Sequence, residues 1–423
     1  MESGTRIDRM VLGAAVLILT GALLPFIFAD RKFSYIDGSP GYEMVLGACY
    51  LSACILALFH FRQVTSVFSR SKPLISLMVL ALVSAIWAES PALALRRSLA
   101  LFGTTLIGAL LTARFTPTER IQLLSFTLRV LAVGSLLVSV FLPHYGVEST
   151  DPLHLGDWVG VYGNKNKLGD YTAIAFLIDC FRPMGLQSKF IWFGLYMLLL
   201  VKSGSASPLA SLLATWLIIK AFQRMRKRHH LSVRAIALSI VVAIGASVAA
   251  GLGSGFFQLI FGRSADLTGR IELWRALMPA ILQHPILGYG YGSFWAGASG
   301  EYYTVARQLL WVPMYSHNGY LETLVSLGAV GLVLACSFLA RGGFYALRKA
   351  DFEESREDLF PLALLVYFLI SNITECTILY PNSLEWAFCV ATLLGVMPPA
   401  MGRLRSDQVV ESHNASIVSE EYA

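Results

Sequence analysis

The sequence predicts an all-α polytopic membrane protein of about twelve transmembrane helices, with a long periplasmic segment between the ninth and the tenth. Three observations predict it. Hydrophobic residues fill 56% of the 423 positions and charged residues only 14%, with a mean hydropathy of +0.62, which leaves too little polar surface for a soluble chain. Apolar runs recur from end to end at about the 20-residue length a bilayer-crossing helix needs, and helices satisfy their own backbone in lipid. The charge is also lopsided. With the N-terminus in the cytoplasm, Lys and Arg on inner loops outnumber those on outer loops by nearly two to one, as the positive-inside rule requires. The net charge of +6 is therefore an orientation signal, and the run RMRKRHH, 224–230, reads as a cytoplasmic anchor with no nucleic-acid partner.

The elements follow in order. The first apolar run, 10–29, comes after Arg6 and Arg9 as a signal peptide would. Its length and the lack of a small-x-small pattern before Asp30 read as a retained signal-anchor. Spans two (42–61) and three (74–87) flank a basic inner loop. Pro91 then restarts the chain, with Arg96 and Arg97 at the outer mouth of span four. Two readings of this pair stay open: snorkelling to the headgroups, or inward-facing cations for an anionic ligand.

Span five (121–142) leads to an outer loop that ends in GVYGNKNKLGDY. There, backbone donors at the start of span six stand beside Lys165, Asn166 and Lys167, a combination that suits phosphate oxygens. Spans six to eight are short, with Lys202 in the outer loop VKSGSASP and Pro208 opening the eighth. Span nine covers 235–252. Beyond it Thr268 caps a surface helix broken near Pro285, with Ile271, Trp274, Met278, Ile281 and Leu282 on one side. GYGYG, 288–292, is a glycine-rich aromatic loop, open either to ligand approach or to turn chemistry alone. His317 and Asn318 close the outer segment, Glu322 falls one turn into span ten, Asn372 and Glu375 near the outer end of span eleven, and Glu385 at the opening of span twelve. The chain thus divides into helices one to nine (1–252), the periplasmic segment (253–316), helices ten to twelve (317–402) and a cytoplasmic tail (403–423).

Polar groups gather on the outer side: Arg96, Arg97, Lys165, Lys202, Arg270, His317, Glu322 and Glu375. Such a set fits an anionic lipid, because arginine grips diphosphate oxygens in a forked, charge-assisted geometry. No Asp-x-Asp, His-Glu-x-x-His or Cys-x-x-Cys occurs, so neither a metal nor another cofactor is expected. The six cysteines read as small core residues.

In the order WAESPALALRRS, GNKNKLG, SGSASP, TGRIELW, HPILGYGYGSFW, SHNGYLETLVSLGAVG and NITECTILYPNSLEW, the chain resembles the O-antigen ligase and exopolysaccharide polymerase family of bacterial envelopes. The resemblance runs from Trp87 to Trp386, and the HPILGYGYGSFW form is most similar to the polymerases. It implies a membrane glycosyltransferase of the inner membrane, while the charge bias over twelve spans places both termini in the cytoplasm. The donor is a glycan on undecaprenyl diphosphate at the periplasmic side, the acceptor a sugar hydroxyl, and a flippase and a chain-length regulator work alongside. Arg270 falls on the arginine of the family's T-G-R motif, Arg96 and Arg97 on its paired arginines, and His317 and Asn318 on its H-N pair. His317, Arg270 and Glu375 are thereby the expected catalytic residues, with His317 or Glu375 as the base. Arg96, Arg97, Lys165, Asn166, Lys202, Asn318 and Glu322 are expected at the diphosphate or glycan. The pattern departs at Asn164, where many relatives carry a histidine. Two other activities compete: ligation of finished glycan to lipid A core, and transport of the lipid. Transport fits poorly, because the acids lie near one face and no repeated halves appear.

Overall fold

The computed structural model describes residues 5–22, 40–152, 154–226, 269–296, 300–309, 311–352 and 355–399. Span nine, most of the 224–230 basic run, Arg263 and the tail lie outside the described residues. Among those described, no strand forms and helices carry the chain. Five helices are long and apolar enough to cross a membrane, or six if one sharply bent pair counts as a span.

Helix α1 (Arg6–Leu19) begins in a capping box between Thr5 and Asp8. α2 (Pro40–Phe59) is followed by α3 (Phe61–Phe68) and α4 (Lys72–Val83), which meet at a 98° bend. α5 (Pro91–Arg114) and α6 (Pro117–Phe141) each place proline in the first turn, where no donor is lost. α6 has its own capping box between Thr116 and Glu119, and Glu119 accepts from Arg9 at 3.0 Å. α7 (Lys165–Phe181), α8 (Leu186–Lys202) and α9 (Ala206–Arg226) follow. The surface segment contributes α10 (Arg270–Gln283) and α11 (Gly300–Arg307). α12 (Gly319–Phe352), α13 (Phe360–Ser371) and α14 (Leu384–Val396) complete the chain.

α5 is the central post. Gly108 lets α14 approach so closely that a Cβ there would lie 2.5 Å from the Ala387 carbonyl. Thr112 donates to Ala391 O at 2.9 Å, and Trp386 donates through Nε1 to Thr105 at 3.0 Å. Small residues and hydroxyls at a close helix crossing are the usual means of association in lipid. α2 runs parallel to α5: Glu43 meets Arg96 near their first turns at 2.7 Å, and just beyond α2 Gln63 accepts from Arg114 at 2.8 Å. Arg114 also holds the buried Asp8 at 2.8 Å.

α12 is not one straight span. At Gly328 the backbone takes φ 63° and ψ −164°, and the segment 285–289 wedges into the break. Ala329 and Val330 donate to the carbonyls of Pro285 and Ile286 at 2.8 and 3.2 Å, and Tyr289 N donates to Val325 O at 2.9 Å. Both new helix ends are thus satisfied by the inserted loop. Glu322, expected one turn into span ten, stands in the first turn of this helix, in the short stretch before the break.

A helix forms over Arg270–Gln283. Gly269, left-handed at φ 81°, takes its N-cap position and supplies no side-chain bond, and Thr268, expected as the cap, lies outside the described residues. The buried side of the helix is Leu273, Ala276, Leu277, Ala280 and Ile281, packed on Phe294, Trp295, Tyr302 and Val325. Met278 and Leu282 are exposed, because this packing uses a stripe rotated from the one that hydrophobicity alone suggested.

Candidate functional site

The polar loops converge on one face of the helix bundle. Arg270, in the first turn of α10, donates to Glu375 Oε1 at 3.0 Å. Glu375 stands in the 372–383 turn between α13 and α14. That turn is shaped by the buried Asn372, whose Oδ1 accepts from the amides of Thr377 and Ile378 at 2.9 and 2.8 Å. Gly319 N reaches both Asn372 O and Glu375 O, at 2.9 and 3.0 Å, and so fixes the start of α12 to the same turn.

His317 precedes α12 at a left-handed φ of 52°, a strained position for a residue with a Cβ. Its ring lies 4.1 Å from that of Tyr315 and 5.8 Å from that of Trp311. Its buried Nδ1 has no hydrogen-bond partner. Burial, reinforced by the Arg270 cation, pushes its pKa from 6.5 down to about 3, so the ring is neutral at pH 7. Asn318 is the helix cap: its Oδ1 accepts from the amides of Tyr320 and Leu321 at 3.0 Å each, and its Nδ2 donates to Ile373 O at 3.1 Å. Glu322 accepts from Trp295 Nε1 at 2.7 Å and from Ser316 N at 2.9 Å, which orients the residue just before His317.

Lys167 joins this group from α7. It donates to Glu385 Oε1 at 2.8 Å and lies 5.8 Å from the Tyr380 ring centre, which in turn meets Tyr315. Tyr171 and Ser383 hold the other Glu385 oxygen at 2.9 and 2.8 Å. Asp170, one turn along α7, is within electrostatic reach of Glu375, Lys167, Glu385 and Arg270. The motif GNKNKLG therefore delivers Lys167 to the cluster.

The neighbouring residues do otherwise. Lys165 turns to Asp157 at 2.8 Å and to His154 at 2.7 Å. Asn166 accepts from Ser205 at 3.0 Å, and Lys202 lies over Trp158. The first amides of α7 are already occupied, since Asn164 Oδ1 accepts from Asn166 N and Lys167 N at 2.9 and 3.1 Å. Those donors are capped by the chain itself and do not await phosphate.

Arg96 and Arg97 stand elsewhere. With Glu43 they rim a groove of about 750 Å³ between α2 and α5, walled also by Tyr291, Glu322 and Tyr380. Arg97 is buried and donates to the Gly292 carbonyl. GYGYG is a packed joint: Gly288, Gly290 and Gly292 all have positive φ. Added Cβ atoms at 288 and 292 would lie 2.6 Å from Val325 O and from the Arg97 side chain. Tyr291 donates to Leu379 O, and its own amide donates to Ser84 Oγ at 2.8 Å.

The sequence reading thus named Arg270, His317, Glu375, Asn318 and Glu322, which the fold brings together. It placed Glu385 at the opening of span twelve without counting it in the site, left Asp170, Tyr315 and Tyr380 out of the site as well, and treated Lys167 only as a companion of Lys165. The spacing Lys167, Asp170, Tyr171 is one helical face and carried that signal. Among the described residues no three His, Cys, Asp or Glu side chains gather as a metal site would require.

Comparison with known proteins adds two findings. A family model described as O-Antigen ligase matches residues 190–336. The Exopolysaccharide production protein ExoQ of Rhizobium meliloti (strain 1021) is 24% identical over 351 residues, covering 77% of each chain. Together they support the O-antigen ligase and exopolysaccharide polymerase family, and with it a membrane enzyme of polysaccharide synthesis.

Proposed function

We propose that this chain is a metal-independent, inverting glycosyltransferase of the bacterial inner membrane. It takes a glycan from undecaprenyl diphosphate at the periplasmic face and polymerises exopolysaccharide or O-antigen repeat units. One observation carries the reading: a fixed guanidinium, Arg270, stands beside a neutral imidazole, His317, whose Nδ1 makes no hydrogen bond.

In this mechanism the donor diphosphate displaces Glu375 from Arg270 and gains Lys167 as a second cation. A ring held at about 3 is by itself a weak base. The arriving phosphate charge offsets the Arg270 cation, the smaller of the two causes of that depression after burial, and so makes the ring a stronger base than it is before the donor binds. His317 then takes the proton of the acceptor hydroxyl as that oxygen attacks the anomeric carbon opposite the diphosphate. The new glycosidic bond forms as the bond from carbon to phosphate oxygen breaks, and the electron pair leaves with the diphosphate, neutralised by Arg270 and Lys167. Once released from Arg270, Glu375 orients the acceptor hydroxyl. Asn318 and Glu322 hold the backbone on either side of His317.

The description of the matched model favours a second reading, ligation of finished glycan to lipid A core or another terminal acceptor. Sizing the lipid-linked glycan that accumulates after deletion separates the two. Single repeats mark a lost polymerase; full-length chains mark a lost ligase and overturn the first reading.

A further inference from the structure

The groove between α2 and α5 has the shape of a seat for one lipid, and it is not the reaction centre. Its walls are apolar side chains of two parallel membrane helices, among them Leu46 and Leu51 of α2 and Leu99 and Phe102 of α5. From Glu43 to Cys54 the α2 wall descends roughly 16 Å at 1.5 Å per residue. The rim is charged, with Arg96 and Glu43 paired at 2.7 Å and each nearly half exposed, and Arg97 and Glu322 behind them. A phosphate can replace Glu43 on a guanidinium that solvent already reaches. Neither Arg270, His317, Glu375 nor Lys167 lines the groove; Tyr380 is the wall shared between groove and cluster.

This offset discriminates between the two substrates. In the donor the reacting carbon is bonded directly to the diphosphate, so donor phosphate must lie at Arg270 and His317. In a lipid-linked acceptor the reacting hydroxyl lies at the far end of the sugar, so its phosphate must sit at a distance from the base. We propose that the α2–α5 groove binds the polyprenyl chain of the acceptor, with its phosphate at Arg96 and Arg97 and its glycan passing Tyr380 toward His317. The inference rests on the polymerase reading, in which both substrates carry a lipid.

Gly47 offers the test. It lines the groove, and a Cβ there meets nothing within 4 Å, so a side chain at 47 starts into open space and Gly47→Phe is the groove-filling variant. Gly194 on α8 is equally open and remote from the groove, so Gly194→Phe is the control. With purified full-length protein, transfer is measured to a repeat unit on undecaprenyl diphosphate and to the same unit on a short alkyl diphosphate. Gly47→Phe is expected to raise KM for the long-chain acceptor by about tenfold or more, since excluding two or three methylenes from a buried path already costs that much. KM for the donor and turnover of the short-chain acceptor stay at the wild-type level. A raised donor KM instead assigns the groove to the donor and overturns the proposal. So does an unchanged long-chain KM, the result expected if the groove holds only bilayer phospholipid, and so does equal loss with both acceptors. A wild-type protein that elongates neither lipid-linked acceptor but does glycosylate lipid A core overturns the polymerase reading first, and the groove assignment falls with it.

Discussion

Two of the largely buried arginine–carboxylate pairs among the described residues have almost the same separation, and they are built in opposite ways. Between α6, α7 and α8, Arg129 meets Asp179 at 2.9 Å. Asp179 is fully buried and saturated: Ser125 donates to one oxygen at 3.0 Å, and Arg129 Nε and Tyr196 donate to the other at 3.0 and 2.7 Å. Arg182 stands 3.6 Å away, and Trp192 lies under Arg129. At the loop face, Arg270 meets Glu375 at 3.0 Å through one hydrogen bond. Among the described residues neither side chain makes another, and the neighbouring imidazole has an unused nitrogen. A saturated pair has nothing left to offer a ligand and ties helices together. An unsaturated one keeps bonding capacity in reserve, which is what a substrate requires.

Substitutions can break or sharpen this contrast. The largest expected effect is at Arg270: Arg270→Ala lowers glycan transfer about 10³-fold, as loss of a main anion-stabilising group does, with membrane insertion intact. The double variant Arg270→Ala, Glu375→Ala strands no carboxylate, so it regains whatever thermal stability the single variant loses and regains no transfer. If activity returned with stability, the pair would be structural like its counterpart. His317→Ala follows, with a loss of about 10²-fold in kcat at unchanged membrane insertion, in the range of a removed general base.

Asp179→Ala inverts the pattern. It strands Arg129 and costs about 3 kcal/mol or more of stability, seen as a lower unfolding midpoint, while kcat per folded molecule holds. A fall in kcat at full folding would erase the distinction drawn between the two pairs. A smaller effect concerns pH. His317 titrates lower in the folded chain than its usual 6.5, so the unfolded chain binds the extra proton. Its contribution to stability is complete above about pH 6.5 and declines as pH falls toward 3. Replacing His317 by Gln flattens that acid limb of the unfolding midpoint. The smallest effect is at Asn318, where Asn318→Ala removes a cap worth about 1 kcal/mol and displaces His317, raising KM and lowering kcat only modestly.

Much of the scaffold was legible because membrane helices announce themselves locally. Pro91 and Pro208, read as helix starts in the sequence, stand in the first turns of α5 and α9 in the structure. The break in α12 was not legible, since SLGAVG reads as continuous helix: Gly328 accepts φ 63° freely, but the carbonyls of Pro285 and Ile286 that take up the amides freed by the break come from a distant stretch of chain. The motifs named Arg270, His317 and Glu375, and the fold brings these three together. The partner of Lys167 was not legible, because it lies far along the chain: Lys167 and Glu385 are 218 positions apart, and although Lys167, Asp170 and Tyr171 share one helical face, nothing local says that this face meets Glu385 while Lys165 reaches Asp157. Long-range pairing decides which of two similar lysines faces which carboxylate.

The wedge at Gly328 also makes two arrangements mutually exclusive. Amides 329 and 330 can bond either to carbonyls one turn back in their own helix or to the intruding loop, never to both. Straightening that rod expels residues 284–290, and with them the platform on which α10 rests. The bend in this helix and the seating of the loop that carries the α10 platform are therefore one arrangement, and neither persists without the other.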